Sequence, residues 1–126
     1  MASPPRVLVV DDDPIHREAV AEILTGQGYA VEQAASGEEC LAAARASRPD
    51  VLVLDLLLPG IDGAQVLEEL RRDARLGGTR VVVTTAVRTA HIRRLLRPDA
   101  VLFKPFGVDE LVLAVTGSLA RAGPSP

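Results

Sequence analysis

Short runs of β-branched and leucine residues recur along the chain, separated by longer stretches whose apolar residues are spaced as in helices. Four of these runs are apolar almost throughout, as is typical of strands that are covered on both faces. The pattern predicts five strands, at Arg6–Val10, Tyr29–Ala34 (the weakest), Val51–Leu54, Arg80–Val83 and Ala100–Phe103.

The stretches between the runs place their apolar residues three or four positions apart, which puts them on one face of a helix. The predicted apolar faces are Ile15, Ala19, Ile23 and Leu24 in the first helix, Val66, Leu67 and Leu70 in the third, and Leu111, Val115 and Leu119 in the last. Helix starts are marked by capping residues. These are Asp13 before Pro14, Ser36 with Glu39, and Asp62 with Gln65.

Strands that alternate with helices predict right-handed β-α-β units, and therefore a parallel sheet with helices on both faces. We predict a doubly wound α/β protein with a five-stranded parallel sheet. The length of 126 residues is that of one ordinary domain. We expect this domain over residues 6–121, after a flexible N-terminus at 1–5 and before a tail or linker start at 122–126.

Composition excludes several classes of protein. The 48% of hydrophobic residues exclude a disordered polymer, and the net charge of −3 with 2% aromatic residues argues against direct nucleic-acid binding. The single cysteine, Cys40, cannot form an internal disulfide, which indicates a reducing compartment. Neither a signal peptide nor a run of about 18 apolar residues is present. We therefore expect a soluble cytoplasmic protein without membrane contact.

The residues that directly follow the predicted strands carry the candidate chemistry. They are Asp11, Asp12 and Asp13 after the first strand, Asp55 after the third, Thr84 and Thr85 after the fourth, and Lys104 after the fifth. Ligands of open α/β sheets bind beyond the carboxyl ends of the strands, so these side chains are expected to share one shallow pocket.

Carboxylates a few ångströms apart repel each other unless a cation compensates them. A divalent ion such as Mg²⁺ takes oxygen ligands and keeps water positions that a phosphate oxygen can occupy. A threonine hydroxyl and a lysine ammonium can bind the remaining phosphoryl oxygens, and an aspartate can act as the nucleophile. The pocket therefore predicts metal-assisted transfer of a phosphoryl group to a carboxylate.

Four motifs, in this order, closely resemble the receiver domain of two-component response regulators. They are VLVVDDDP at 7–14, PDVLVLDLLLPG at 49–60, the pair Thr85-Ala86, and FKPF at 103–106. The resemblance covers residues 6–121 and implies the flavodoxin-like strand order 2-1-3-4-5.

The resemblance implies the roles of the acidic residues. Asp55 is the implied phosphoacceptor, which attacks the phosphohistidine of a sensor histidine kinase or phosphotransfer protein. Asp12 is implied to bind Mg²⁺ directly and Asp11 mainly through water. Asp55 itself and the backbone carbonyl of Leu57 are the further implied ligands.

The resemblance also implies that Thr85 and Lys104 bind oxygens of the transferred phosphoryl group. The Lys104–Pro105 peptide bond is implied to be cis, which is almost confined to bonds before proline. Thr84 competes for the role of the hydroxyl, and the small residue Ala86 favours Thr85.

Other polar residues near the site are predicted to have ordinary structural roles. Asp13 is expected to cap a helix, His16 to face solvent in the first helical turn rather than bind a metal, and Cys40 to pack in the core. A run of basic residues precedes the last strand, namely Arg88, His91, Arg93, Arg94 and Arg97. Such a run is usually a solvated face, and docking of an acidic partner is the alternative.

Two departures from the family concern the output of the domain. Val101 stands where the family commonly has Tyr or Phe, the ring that turns inward when the threonine moves toward the phosphoryl group. Fewer residues separate Thr85 from Lys104 than the family commonly has, and Pro98 intervenes, so we expect a short or irregular fourth helix. We hypothesise that phosphorylation is retained while its readout is atypical.

The function predicted from the sequence is a phosphoryl-accepting switch that controls binding to a downstream protein effector. It is not expected to be an enzyme beyond its own autophosphorylation and autodephosphorylation, and it is expected to be a monomer or a weak phosphorylation-dependent dimer. One alternative is a phosphorylation-independent interaction module of the same fold. Another is a Mg²⁺-dependent aspartyl-phosphate phosphatase, but Leu57 stands where haloacid dehalogenase-type enzymes carry their second acid.

Overall fold

A computed structural model describes residues 3–121, in which five strands alternate with five helices. The strands are β1 (Arg6–Val10), β2 (Ala30–Ala34), β3 (Val51–Asp55), β4 (Arg80–Thr85) and β5 (Ala100–Phe103). The helices are α1 (Pro14–Gly26), α2 (Gly37–Ser47), α3 (Gly63–Arg72), α4 (His91–Leu96) and α5 (Val108–Ala120), with a 3₁₀ turn at Ala74–Leu76. Residues 1–2 and 122–126, including the predicted tail, lie outside the described residues. No helix between residues 3 and 121 combines the length and apolarity needed to cross a bilayer.

The five strands form one parallel sheet in the order β2-β1-β3-β4-β5, as predicted. All five residues of the central strand β3 are buried, whereas the edge strand β2 buries only Ala34 fully. The register pairs Val10 with Leu54 and Asp55 with Thr84, so β1, β3 and β4 end at the same edge of the sheet. This edge is where the candidate polar residues begin.

The core consists of two layers, one on each face of the sheet. Leu8 and Val10 of β1 pack toward α2 and α3, whereas Val7 and Val9 pack toward α1 and α5. Side chains of a strand alternate between faces, so a run that is apolar throughout supplies both layers. Cys40 lies in the first layer, as predicted, and burial raises the pKa of its thiol to about 12.

The predicted helix caps are present. The Asp13 carboxylate accepts main-chain hydrogen bonds at the start of α1, which has proline at its first position, and Asp62 and Gln65 form a reciprocal capping box. The Ser36 hydroxyl accepts a hydrogen bond from the amide of Glu39, but the Glu39 carboxylate binds the amide one residue earlier than a capping box requires. Each of these three helices therefore starts at the residue that the sequence indicated.

The predicted apolar face of α1 is partly wrong. Ile15 is 81% exposed and Ala19 is also exposed, whereas Val20, Ala21 and Leu24 are buried. Successive residues lie about 100° apart around a helix. The exposed apolar residues Ile15 and Ala19 therefore form a line beside the buried line that contains Val20 and Leu24. The packing of α1 against the sheet selects the line that contains Val20 and Leu24. The predicted face of α3 is confirmed, and in α5 Leu111 and Val115 are buried while Leu119 is half-buried against the same layer.

Helix α4 contains only six residues, which confirms the expectation of a short fourth helix. The residue before it, Ala90, offers no side-chain cap, and Arg97, the residue after it, has a left-handed backbone with φ of 49°. The guanidinium of Arg71 in α3 donates hydrogen bonds to the carbonyls of Leu96 and Arg97. A side chain from a neighbouring helix thus satisfies carbonyls that so short a helix leaves free.

Gly63, the first residue of α3, packs directly against the end of β3, and its replacement by alanine is expected to destabilise the protein. A Cβ atom there would lie 2.6 Å from the carbonyl oxygen of Asp55 and 2.6 Å from the Cα of Leu56, and neither backbone atom can rotate away. Overpacking of this kind costs about 1–3 kcal/mol. The Gly117→Ala variant in α5 is the control, because its Cβ meets nothing within 4 Å; it should stabilise by about 0.5–1 kcal/mol. Urea denaturation of both variants measures the difference, and equal stabilities would contradict it.

Candidate functional site

Three carboxylates converge at the carboxyl edge of the sheet, as the strand ends predicted. Asp11 and Asp12 follow β1 and Asp55 ends β3, and each offers an oxygen within 4.8 Å of the others. Asp11 and Asp55 are buried, at 3% and 5% exposure, while Asp12 is exposed. The cluster therefore combines two acids that are fixed in the protein with one that faces solvent.

The ammonium of Lys104 lies between the two buried acids. Its Nζ donates to Oδ2 of Asp11 and to Oδ2 of Asp55, at 3.2 Å in both cases. The residue directly follows β5, its main-chain N–H donates to the carbonyl of Thr85 at 2.8 Å, and the Lys104–Pro105 bond is cis. One cation is thus shared by two carboxylates that come from different strands.

The two buried carboxylates have opposite pKa shifts. For Asp55, burial raises the pKa and the Asp11 charge adds to this, and the hydrogen bonds from Leu57 and Lys104 offset only part of it. For Asp11, burial also raises the pKa, but hydrogen bonds from His16, a main-chain amide and Lys104 outweigh it, and the net shift is downward. Burial lowers the pKa of Lys104, and the two carboxylates outweigh that effect, so the pKa is raised. The protein therefore stabilises the ionised form of Asp11 more than the ionised form of Asp55.

The prediction that His16 faces solvent is wrong. Its Nδ1 lies 2.7 Å from Oδ2 of Asp11, and its ring packs edge-on against Phe106, with centroids 5.4 Å apart and an interplanar angle of 71°. His16 is the third residue of α1, and helical side chains tilt toward the N-terminus of their helix. A first-turn side chain can therefore reach back to the strand end before the helix, and the position of His16 after the Asp13 cap was the signal that could have identified it.

The two threonines that end β4 are both buried. The carbonyl of Thr84 accepts a hydrogen bond from the amide of Leu56, and the Thr85 hydroxyl oxygen accepts one from the amide of Val87 at 3.1 Å. The Thr85 hydroxyl keeps its proton available for a further acceptor. The choice of Thr85 over Thr84 remains a prediction.

The turn after β3 binds the carboxylate of Asp55 through its main chain. The amide of Leu57 donates to Oδ1 of Asp55 at 3.1 Å, while the Leu57 side chain is 61% exposed. The amide of Gly63 donates to the Leu56 carbonyl at 2.9 Å, which closes the turn. The main chain of Leu57 thus lies beside Asp55, and the ligand role of its carbonyl remains a prediction.

The donor set fits a hard divalent cation. Three carboxylates offer oxygens within one small volume, which is the ligand type that Mg²⁺ prefers. The single ammonium of Lys104 leaves part of this negative charge uncompensated. Asp11, Asp12 and Asp55 are therefore the residues that could hold Mg²⁺ at this edge.

In contrast to the acidic site, β5 and the segments next to it carry apolar and basic side chains. Val101 is buried in the core, and Phe103, two residues further along β5, lies opposite Thr85 in the sheet. The guanidinium carbon of Arg88 lies 5.0 Å from the centroid of the Phe103 ring. The other arginines of the basic run are also exposed; they are Arg93, Arg94 and Arg97. A solvated face and a docking surface both require this exposure, so the choice between them remains a prediction.

Comparison with known proteins agrees with this geometry. A family model described as the response regulator receiver domain matches residues 7–116. The probable transcriptional regulatory protein TcrX of Mycobacterium tuberculosis is 38% identical over 123 residues, which are 95% of this chain and 52% of that protein. The DNA-binding response regulator MtrA of Mycolicibacterium smegmatis is 37% identical over 96% of this chain and 53% of its own length. The chain thus spans about half the length of the curated relatives it matches.

Solved structures share the fold over nearly their whole length. A response regulator from Chloroflexus aurantiacus superposes with a TM-score of 0.87 and 36% identity, covering 94% of this chain and 99% of that one. The response regulator TrrA from Thermotoga maritima, solved in complex with Mg²⁺ and BeF, superposes with a TM-score of 0.80 and 35% identity, covering 91% and 99%. Their strand arrangement is the one described above.

Replacing Asp55 by Asn is expected to stabilise the metal-free protein. Because burial and the neighbouring acid raise the pKa of Asp55, its ionised form is less favourable in the native than in the unfolded state. The gain in stability of the variant over the wild type should be complete above the pKa of Asp55 in the native state. It should disappear below the ordinary pKa of 3.8, where Asp55 of the wild type is protonated in the native and the unfolded state. Melting temperatures of variant and wild type, measured without divalent ions across pH, test this. A destabilised variant at neutral pH would contradict it.

Proposed function

The chain belongs to the receiver domain family of two-component response regulators, and on that premise we propose that Asp55 is the residue that accepts the phosphoryl group. The observation that supports this most directly is the position of Asp55. It is the buried carboxylate at the end of the central strand, with Lys104 at 3.2 Å and two further acids beside it. Phosphorylation would then switch the binding of a downstream protein effector.

The proposed step is a substitution at phosphorus. One carboxylate oxygen of Asp55 forms a bond to the phosphorus of a phosphohistidine, and the bond from phosphorus to the imidazole nitrogen breaks. The released imidazole takes a proton from water. The donor is a sensor histidine kinase or a phosphotransfer protein, and a small acyl phosphate can replace it, with acetate as the leaving group in the case of acetyl phosphate.

The neighbouring residues are assigned by the charges that they carry. Asp12, Asp11 and Asp55 would hold Mg²⁺, with the Leu57 carbonyl as a further ligand, and the bound ion supplies charge neutralisation for the phosphoryl oxygens. Lys104 would move its ammonium from the carboxylate of Asp55 to a phosphoryl oxygen. Thr85 would donate its hydroxyl proton to another oxygen.

We also propose the extent and setting of the domain. The domain spans residues 6–121, acts in the cytoplasm, where an unpaired cysteine is usual, and is a monomer or a weak phosphorylation-dependent dimer. Relatives such as MtrA are named as DNA-binding regulators, but this chain matches about half of their length. For the segment in hand, with a net charge of −3, we propose contacts with proteins and not with nucleic acid or membrane.

Incubation with Mg²⁺ and acetyl phosphate is expected to add one phosphoryl group, detected as the intact mass. Asp55→Asn should abolish the gain. Asp13→Asn is the matched control: Asp13 is a neighbouring acid whose role is to cap α1, and asparagine caps equally well. No gain with any donor would favour a phosphorylation-independent module. Release of phosphate from many substrates would favour a phosphatase.

The readout of phosphorylation is proposed to be atypical. Valine at 101 has no ring to turn inward, and its side chain is already buried in the core, with 9% exposure. Phe103 is paired with Thr85 in the sheet, and the loop that follows Thr85 carries Arg88 onto the Phe103 ring. A displacement of the Thr85 hydroxyl toward the phosphoryl group would move this loop and with it the Arg88 contact, which is worth about 0.5–1 kcal/mol at an exposed site.

Adding Mg²⁺ and beryllofluoride, a phosphoryl mimic, should therefore shift the NMR resonances of Phe103 and of the loop that contains Arg88. Arg88→Gln should reduce the shift at Phe103, because no guanidinium then lies against the ring to change its resonances when the loop moves. Arg93→Gln, an exposed arginine of α4, is the control and should leave the shift unchanged. A conventional rearrangement of α4 and β5 of ordinary size, with equal responses from both variants, would contradict the proposal.

A further inference from the structure

The imidazole of His16 contacts the carboxylate of Asp11, and the proposed chemistry assigns it no role. Its Nδ1 lies 2.7 Å from Oδ2 of Asp11, shorter than the 3.2 Å from Lys104 Nζ to the same oxygen. A carboxylate oxygen only accepts hydrogen bonds, so the Nδ1–H group of the imidazole is the donor. The His16 side chain is 34% exposed, in contrast to the preceding residue Ile15 at 81%.

We propose that His16 is a positioning residue of the metal site, which orients the Asp11 carboxylate for the ion and its water ligands. This inference rests on the proposed function, because it concerns the same carboxylates. The first turn of α1 thereby becomes part of the site, although the sequence motif ends at Pro14.

Two donors from the start of α1 hold the two oxygens of Asp11. The main-chain amide of Asp13 donates to Oδ1 at 2.9 Å, and His16 donates to Oδ2. With one oxygen held on each side, rotation of the carboxylate about its Cβ–Cγ bond is restricted before an ion arrives. Hydrogen bonds of this kind to metal-binding carboxylates typically change metal affinity by about 10–100-fold.

Lys104 cannot supply this orientation by itself. Its ammonium is shared between Asp11 and Asp55, stands on a flexible four-carbon stem, and is the group proposed to move to a phosphoryl oxygen. The donors from the start of α1, His16 and the Asp13 amide, do not depend on where the ammonium lies. They therefore hold the Asp11 carboxylate both before and after the lysine engages a phosphoryl oxygen.

The His16 ring also packs against an aromatic ring. Phe106, which follows the cis Lys104–Pro105 bond, meets the ring edge-on at 5.4 Å. The imidazole is thus placed between the end of β1 and the segment that leads into α5. A ring held by this packing and by a 2.7 Å hydrogen bond has little freedom to bind another partner.

The test compares two variants of His16 by isothermal titration with Mg²⁺ alone. His16→Leu removes the donor and keeps apolar bulk against Phe106, and it should weaken Mg²⁺ binding about tenfold. His16→Asn places an amide N–H close to the position of Nδ1 and should recover most of the affinity. The Mg²⁺ concentration that gives half the maximal rate of phosphorylation by acetyl phosphate should rise in parallel in His16→Leu. Ile15→Ala, at the adjacent exposed position, is the control and should bind as the wild type does.

Several results would overturn the assignment. Wild-type affinity in His16→Leu would show that His16 does not orient Asp11, and tighter binding would show that it competes with the ion. An Asn variant as weak as the Leu variant would assign the effect to ring packing. If the wild type binds Mg²⁺ and Asp55 accepts phosphoryl, these failures concern His16 alone. Absence of Mg²⁺ binding by the wild type would instead overturn the proposed function together with this inference.

Discussion

The structure depends on one electrostatic constraint, which is that two carboxylates are buried side by side at the end of the sheet. Asp11 and Asp55 are 3% and 5% exposed and come from adjacent strands, so their charges repel in a region from which water is largely excluded. The ammonium of Lys104 reaches both from the far strand β5. This single cation does not neutralise all of the acids. The pKa is lowered for Asp11 and raised for Asp55, so the ionised form of Asp55 is the less stabilised of the two. Asp55 is also the residue for which we propose the nucleophilic role.

The same side chains also turn the chain at the strand ends. In three strand-end loops, a side-chain oxygen accepts a hydrogen bond from the amide two residues later. The pairs are Asp11 with Asp13, Asp55 with Leu57, and Thr85 with Val87. Local bonds of this kind are what make aspartate and threonine favourable in turns. The residues assigned to the chemistry therefore also shape the loops that present them, and a shift of the Thr85 hydroxyl toward a new partner would release the Val87 amide. This is a physical route by which chemistry at the site can reach the surface.

Much of the fold could be predicted because its strongest patterns are local. The bounds of β1 and β5 agree with those read from the sequence, since a strand covered on both faces is apolar throughout and cannot be mistaken for a surface segment. The starts of α1 and α3 were predictable because Asp13 and Asp62 bond to amides within their own first turn. The site residues followed from the rule that parallel strands bring their carboxyl ends to one edge.

The sequence by itself determined the order of elements, the starts of three helices, and which acids and lysine directly follow the strands, because each of these is marked by a pattern of neighbouring residues. Only the tertiary structure decided which of two adjacent apolar lines of α1 is buried, and that His16 binds Asp11 and packs on Phe106. Likewise, the carbonyls at the end of α4 receive their donors from Arg71, a residue of another helix. These contacts depend on how each helix is rotated about its axis where it packs on the sheet. Packing throughout the core sets that rotation, so no local sequence pattern predicts it.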